Sequence, residues 1–306
     1  LDPLSIVLND LRLESTLYCA LHVTAPWAVA YPGGPQAGFH VVTSGTCELA
    51  IDGGTSITLT AGDMVVLPRG TPHVLRAGRR TAAVSIVDLV AARAIESSDK
   101  VRHGGGGAST EYLCGAVEFG ARGDHPMLSA LPEVILVRGE QGRTQPWMEL
   151  IVNALACEQR SARAGGATIL TRLSDVLFVQ ALRAHLAELP EATTGWMGAL
   201  RDPVLAKAIA HIHRAPERNW TVESLARESG QSRSQFAARF AAVVGVPPLT
   251  YLTRWRMYRA RVLLRDEQAR VSDVARVLGY GSETAFSTAF KREVGVAPRD
   301  YKRAAA

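Results

Sequence analysis

Two thiols and two imidazoles in the first 120 residues are the groups best suited to signal-dependent chemistry. Cys19 sits in STLYCALHV and Cys114 in TEYLCGAVEF, both strand-like surroundings. A pair of thiols brought together would form a reversible disulfide. The alternative is that both are small apolar core residues, the usual fate of a free cysteine. His73 closes the spacing Gly62-x5-Pro68-x-Gly70-x2-His73, and strand alternation places His40 on the same face as Val42. If that face is inward, His40 and His73 share a cavity, lined further by Trp27 and Tyr31, that would take a small organic effector; each residue is equally explained as core filling or polar lining. Two imidazoles are fewer than the three protein ligands of an open catalytic metal site, so the expectation is no metal, no cofactor and no catalytic residue. Cys47 alternates with Leu49 and Ile51 and reads as core, and Cys157 as helix packing. The four cysteines fit no paired zinc spacing.

The last hundred or so residues carry a different chemistry, that of a polyanion partner. From Arg201 onward there are 19 Lys+Arg against 10 Asp+Glu, whereas the residues before it hold 15 against 19, within a net charge of +5. An internal repeat lies in the basic part. LARESGQSRSQFAARFAAVVGVPPLTY returns as VARVLGYGSETAFSTAFKREVGVAPRDY: Ala226 and Gly230 recur 49 positions on as Ala275 and Gly279. Phe236, Phe240, Gly245, Pro248 and Tyr251 recur 50 on as Phe286, Phe290, Gly295, Pro298 and Tyr301. Each copy has a short helix ending at a glycine suited to a left-handed cap (Gly230, Gly279), and a serine (Ser232, Ser282) placed to cap the next helix. That helix buries Phe at i and i+4 and ends at Gly245 or Gly295. Two helices at a tight turn place the second in a major groove of double-stranded DNA.

With the phenylalanines inward, helical geometry turns Ser234 and Ala238 outward in the first copy, flanked by Gln235 and Ala237. In the second it turns out Thr284, Thr288 and Lys291, flanked by Ser287. Arg233, Gln235 and Arg239 are within reach of bases or phosphates, and Arg254, Arg256, Lys291 and Arg292 are candidates for phosphate contact, each equally explained as solvated surface. Glu283 would accept a hydrogen bond from cytosine or simply complement the helix dipole.

The elements that must hold these residues follow from pattern. Up to about residue 125, runs such as GFHVVTSGTCELAID and SITLTAGDMVVLPRGTPHVL, broken by Gly, Pro and Asp-Gly, indicate a small antiparallel barrel or sandwich. The glycines at His103–Gly107 suggest a flexible loop. Trp147 to Leu189 has helical spacing, with Ile169/Leu170, Leu173, Val176/Leu177 and Ala181/Ala184 on one face: a packing helix or a dimerisation helix. The expected division is a β-rich domain with the packing or dimerisation helix at 1–190, a linker at 191–200 and a DNA-binding domain at 201–306. LDPLSIVLNDLRLES lacks the basic start of a secretion signal and no apolar run reaches spanning length, so a cytoplasmic protein without membrane contact is expected.

VARVLGYGSETAFSTAFKREVGVAPRDYKR and the linking RMYRARVLL resemble the AraC/XylS family of bacterial transcription regulators, over about a hundred residues. GDMVVLPRGTPH and the FHVVTSG before it resemble the cupin-type sensor of one branch of that family. The resemblance implies an α+β multidomain protein: an N-terminal cupin-like β-barrel with a helical dimerisation segment, which makes 1–190 a sensor and dimerisation domain, and a C-terminal all-α double helix-turn-helix entering successive major grooves. It implies a sequence-specific regulator, a homodimer, switched through the front domain by cysteine oxidation or a small molecule, and touching RNA polymerase if it activates. Cys19 and Cys114 resemble in position the thiols of oxidant-responsive members. Where many members have Arg, this chain has Ala238, with Arg239 beside it, so its first recognition helix offers small contacts. A cupin metalloenzyme with a DNA-binding tail is the alternative. A DNA-repair alkyl acceptor wants a zinc-held cysteine cluster that these scattered cysteines do not form.

Overall fold

A computed structural model describes residues 4–6, 8, 13–51, 54–78, 80–96, 100–119, 131–139, 145–161, 163–190, 192–265 and 269–305. These divide into two compact units, one within Leu13–Gly123 and Leu131–Glu188, the other containing Leu189–Ala306.

The first unit is two sheets facing one core. Strands β1 (Leu13–Thr24), β3 (Ala37–Ser44), β6 (Met64–Leu67), β9 (Val101–Gly104), β10 (Ser109–Phe119) and β11 (Ile135–Val137) form one sheet in the order β11-β6-β3-β10-β1-β9. Strands β2 (Trp27–Tyr31), β4 (Thr46–Ile51), β5 (Thr55–Thr60), β7 (His73–Ala77) and β8 (Val84–Ser85) form the other in the order β5-β4-β7-β2-β8. Alternation sets their inner faces: along β4, Cys47, Leu49 and Ile51 are buried, and Leu49 pairs with Leu75 of β7. A helix α1 (Ile86–Glu96) follows β8.

The glycine-rich segment is ordered. Gly104 ends β9 at a φ of +127° and lies where an added Cβ would stand 1.9 Å from the Thr24 carbonyl, while the amides of Gly105 and Gly107 donate to Thr24 and Ala25. The glycines serve a close backbone crossing there. The helical stretch is two helices, α2 (Pro146–Ser161) and α3 (Gly166–Glu188), with Gly165 at a φ of +85° just before the second. The backbone N–H and Oγ of Ser15 donate to Asp175 of α3 at 3.2 and 2.6 Å, and Phe178 meets Phe119 of β10 edge-on. The buried face of α3 is Ser174, Leu177, Phe178, Ala181 and Leu182, leaving Ile169 and Val176 exposed together with Leu150 of α2.

The second unit is helical: α4 (Gly195–Arg201), α5 (Pro203–Arg214), α6 (Val222–Glu228), α7 (Arg233–Val244), α8 (Pro248–Arg265), α9 (Val271–Val277), α10 (Glu283–Val294) and α11 (Pro298–Ala305). Part of the expected linker is therefore helix: Trp196, Met197, Gly198 and Ala199 of α4 are buried within the unit, and seven residues are too few to display a period. The repeat explains the rest. Phe236 and Phe240 sit 5.6 Å apart with Tyr251 edge-on to Phe240 at 5.7 Å; Phe286 and Phe290 sit 5.6 Å apart with Tyr301 edge-on to Phe290 at 5.6 Å. All four phenylalanines are fully buried, so truncating any one to Ala removes about 3–5 kcal/mol. Among the described residues no single helix is long and apolar enough to cross a membrane.

Candidate nucleic-acid interface and sensor pocket

Each helix-turn-helix is built by the same local chemistry. In the first turn Gly230, at a φ of +70°, donates to Arg227 and Gln231 donates to Ala226; in the second Gly279, at +77°, donates to Arg276 and Tyr280 to Ala275. Ser232 and Ser282 accept from the backbone of Gln235 and Ala285, capping α7 and α10. Gly245 and Gly295 end those helices in the left-handed region.

The outward faces of the two helices differ. On α7, Ser234, Gln235, Ala238, Ala241 and Ala242 are exposed. Its arginines are held by acids: Arg233 pairs with Glu223 at 2.9 Å, and Arg239 with Asp202 at 2.6 Å. Asp202 also caps α5 through its other oxygen, which accepts from Val204 and Leu205. On α10, Thr284, Thr288, Lys291 and Arg292 are exposed and Ser287 is half-buried. The Thr288 hydroxyl donates to the carbonyl of Thr284, Arg292 pairs with the neighbouring Glu293 at 3.2 Å, and Glu283 is paired with Arg299 at 2.9 Å. Arg256, expected as a phosphate contact, donates instead to the carbonyls of Pro216 and Arg218.

In the first unit, register lines up one rung across the larger sheet: Cys19 opposite Cys114, Cys114 opposite His40, His40 opposite Val65. The sulfurs of Cys19 and Cys114 are 3.3 Å apart, unbonded, and fully buried. Burial, reinforced by Cys19, pushes the Cys114 thiol well up. The hydroxyls of Tyr31 and Tyr112 share a hydrogen bond of 2.9 Å. His40 and His73 meet Nε2 to Nε2 at 2.7 Å, and Nδ1 of His73 lies 2.8 Å from the Thr71 carbonyl. A carbonyl only accepts, so His73 carries its proton on Nδ1 and presents a lone pair to the Nε2–H of His40. Burial lowers both imidazoles, that of His40 furthest, and the pair is neutral. Among the described residues no group of three or more His, Cys, Asp and Glu is placed to hold a metal ion.

Tyr31, His40 and His73 line a cavity of about 500 Å³ whose wall is otherwise mainly Gly, Pro and aliphatic, with Gly115 and Ala116 adjoining Cys114. Trp27, expected in this wall, is outside it: its ring is buried and stacked on Tyr112 at 5.8 Å.

Residues 2–187 match the family described as Cupin, and residues 225–304 the family described as Helix-turn-helix domain. A protein of Streptomyces lividans named as an AraC-like transcription regulator is 37% identical over 304 residues, covering 99% of this chain and 98% of the relative. The chain belongs to the AraC-like transcription regulators. The regulator AlkR of Acinetobacter baylyi is 30% identical over 310 residues, covering 99% of each chain. RclR of Escherichia coli K12, named an RCS-specific HTH-type transcriptional activator, is 28% identical over 265 residues, covering 86% of this chain and 83% of the relative.

As an AraC-like regulator the protein is a DNA-binding transcription factor with a cupin-like β-rich domain and a helical helix-turn-helix domain. Sequence reasoning missed the acids that hold the α7 arginines. Asp202-Pro203 was the available signal, since an acid before Pro at a first helical turn marks a cap.

Proposed function

We propose that this AraC-like regulator binds a specific DNA site through α7 and α10 and is switched by a disulfide between Cys19 and Cys114. The observation that carries the switch is the 3.3 Å separation of two sulfurs on paired antiparallel strands. Antiparallel partners have Cα atoms about 4.5–5.5 Å apart, inside the range a disulfide spans. A small peroxide-class oxidant balances the step. One thiol takes an oxygen to give a sulfenic acid and water; the second thiol displaces a second water and leaves the S–S bond.

Closure would be felt at β1. Its pairing with β10 shifts register between Leu17 and Cys19, giving the strand room to move. Further along, Ser15 grips Asp175 of α3. A shift of β1 would thus reach the helix that runs to Glu188.

The DNA contacts in this reading are Ser232, Ser234, Gln235 and Ala238 with Arg233 and Arg239 from the first unit of the repeat, and Ser282, Glu283, Thr284, Ser287, Thr288, Lys291 and Arg292 from the second. The exposed Ile169, Val176 and Leu150 supply the homodimer face. The sensor and dimerisation domain reaches to Glu188 and the DNA-binding domain starts from Leu189, so that it includes α4; the protein works in the cytoplasm, and as an activator, the role in RclR's name, it would touch RNA polymerase. The cavity favours a second reading, an effector small enough for about 500 Å³ held near His40 and His73.

The test is selection of a duplex from a random library with the full chain, then fluorescence anisotropy with reduced and peroxide-treated protein. Binding that is sequence-selective and changes on oxidation in wild type, but not in Cys19→Ser or Cys114→Ser, supports the proposal. Selective binding indifferent to oxidation removes the thiol switch and leaves the effector. No selected sequence under any condition removes the regulator reading.

A further inference from the structure

The two glycines of the repeat have the same backbone role but different surroundings. Around Gly230 an added Cβ would meet none of the described residues within 4 Å, whereas at Gly279 it would stand 2.2 Å from the carbonyl oxygen of Glu217. Glu217 lies in the loop between α5 and α6, just before the first helix-turn-helix, and Gly279 in the turn of the second. The second turn is therefore packed against the α5–α6 loop, at a distance only a glycine permits.

Arg256 reinforces the same junction from the connecting helix α8. Its Nε donates to the Pro216 carbonyl at 2.7 Å and an Nη to the Arg218 carbonyl at 3.1 Å, while its guanidinium carbon lies 5.5 Å from the centre of the Tyr280 ring, in the second turn. The loop is itself pinned: the Trp220 indole donates to Ala215, and Arg218 lies over the Trp220 ring at 4.2 Å. Half-buried and engaged with two carbonyls, Arg256 is poorly placed for phosphate.

We infer that Arg256 and Gly279 are positioning residues for DNA recognition: they hold the two helix-turn-helix units at one separation and angle, so that the protein reads one half-site spacing only. This rests on α7 and α10 being the two recognition helices. Each base pair added between half-sites turns the second groove by about 35° and moves it about 3.4 Å. A clamped pair of helices cannot follow; an unclamped pair, joined by α8 alone, could flex to meet it.

The experiment uses the full chain and its selected duplex, with one base pair inserted or deleted between the footprinted half-sites, and reads the ratio of altered to native Kd at fixed salt. Wild type should lose roughly 30-fold or more per change, the scale of losing one helix's base contacts. Arg256→Ala should bring that ratio below roughly 5-fold, with Arg256→Lys, which keeps the charge but not the fork, in between. A purely structural role would weaken binding to every duplex alike and leave the ratio alone. If Arg256→Ala does not fold, the ratio for Arg256→Lys decides. The inference is overturned if wild type tolerates the altered spacing, or if a folded Arg256 variant keeps the wild-type ratio. Failure to select any duplex would instead count against the DNA-binding reading itself.

Discussion

Oxidising the full chain should raise the melting temperature of its cupin unit by about 10–20 °C, provided that Cys19 and Cys114 are both present. The bond needs the sulfurs to close from 3.3 Å to about 2.05 Å, a movement that side-chain rotation and a small shift of β1 at the register change between Leu17 and Cys19 supply together. The cysteines are 95 residues apart in sequence, and cross-linking a loop of roughly 100 residues removes denatured-state entropy worth about 4.7 kcal/mol. In a unit of this size each kcal/mol moves the midpoint by about 2–4 °C, hence the range. The assay is near-UV circular dichroism, which follows the buried Trp27–Tyr112 stack, on reduced and peroxide-treated protein, with intact mass reporting loss of two hydrogens. Cys19→Ser and Cys114→Ser, each compared with its own reduced state, should show neither change. The burial that raises the Cys114 thiol also makes it a slow nucleophile, so oxidation should quicken in mild denaturant. The reasoning is refuted if the mass change occurs without a shift in melting, or if it survives in either serine variant.

Three further outcomes follow from single residues. Gly230→Ala should cost the DNA-binding unit about 1–2 kcal/mol, the strain of a side chain in the left-handed region; Gly279→Ala should cost more than twice as much, because its Cβ also meets the Glu217 carbonyl, and urea unfolding of the pair measures the difference. At Asp63 burial favours the neutral acid, but backbone N–H groups of Thr60 and Gly139 with Arg138 overcome it and hold the carboxyl below its ordinary value. Its stabilisation is therefore complete above about pH 4 and lost as pH falls toward the depressed value, so Asp63→Asn should lower stability by about 1–3 kcal/mol at neutral pH and flatten the acid limb of a stability–pH curve. If Lys291 and Arg292 of α10 contact phosphates, replacing either with Ala should weaken binding to all duplexes alike and reduce the slope of log K against log salt by about 1.

What the sequence revealed was local. The 49- and 50-residue repeat, the capping serines and glycines, the paired phenylalanines and the alternation of Cys47, Leu49 and Ile51 are all written within a few residues of where they act, and the structure has each in place. The meeting of Cys19 with Cys114 depends on the register of two strands 95 residues apart, which no short pattern encodes. The same holds for His40 with His73, and for Arg239 with Asp202 across 37 residues. Trp27 was misplaced for a related reason: alternation tells which face of a strand is inward, but not which inward residues border empty space. Polar residues were harder still, because an arginine on a basic surface looks the same in sequence whether it faces water, phosphate or, like Arg256, a carbonyl of its own fold.

The repeat shows why local grammar and function separate here. Both copies obey one set of rules for turn, cap and core, and those rules require glycine at 230 and 279 alike. Yet the positions that on α10 are Lys291 and Arg292 are on α7 the exposed Ala241 and Ala242, and the arginines of α7 are paired with Glu223 and Asp202. The exposed Arg233–Glu223 pair contributes little to stability, about 0–1 kcal/mol, whereas Asp202, only 12% exposed, also caps α5; both acids offset the charge of the first helix's arginines. What α10 adds is the exposed basic pair Lys291 and Arg292 in its last turn, and if that pair anchors to phosphate, it places the first helix correctly only if the junction between them is stiff. Charge on one copy and packing at Gly279 are two halves of the same requirement.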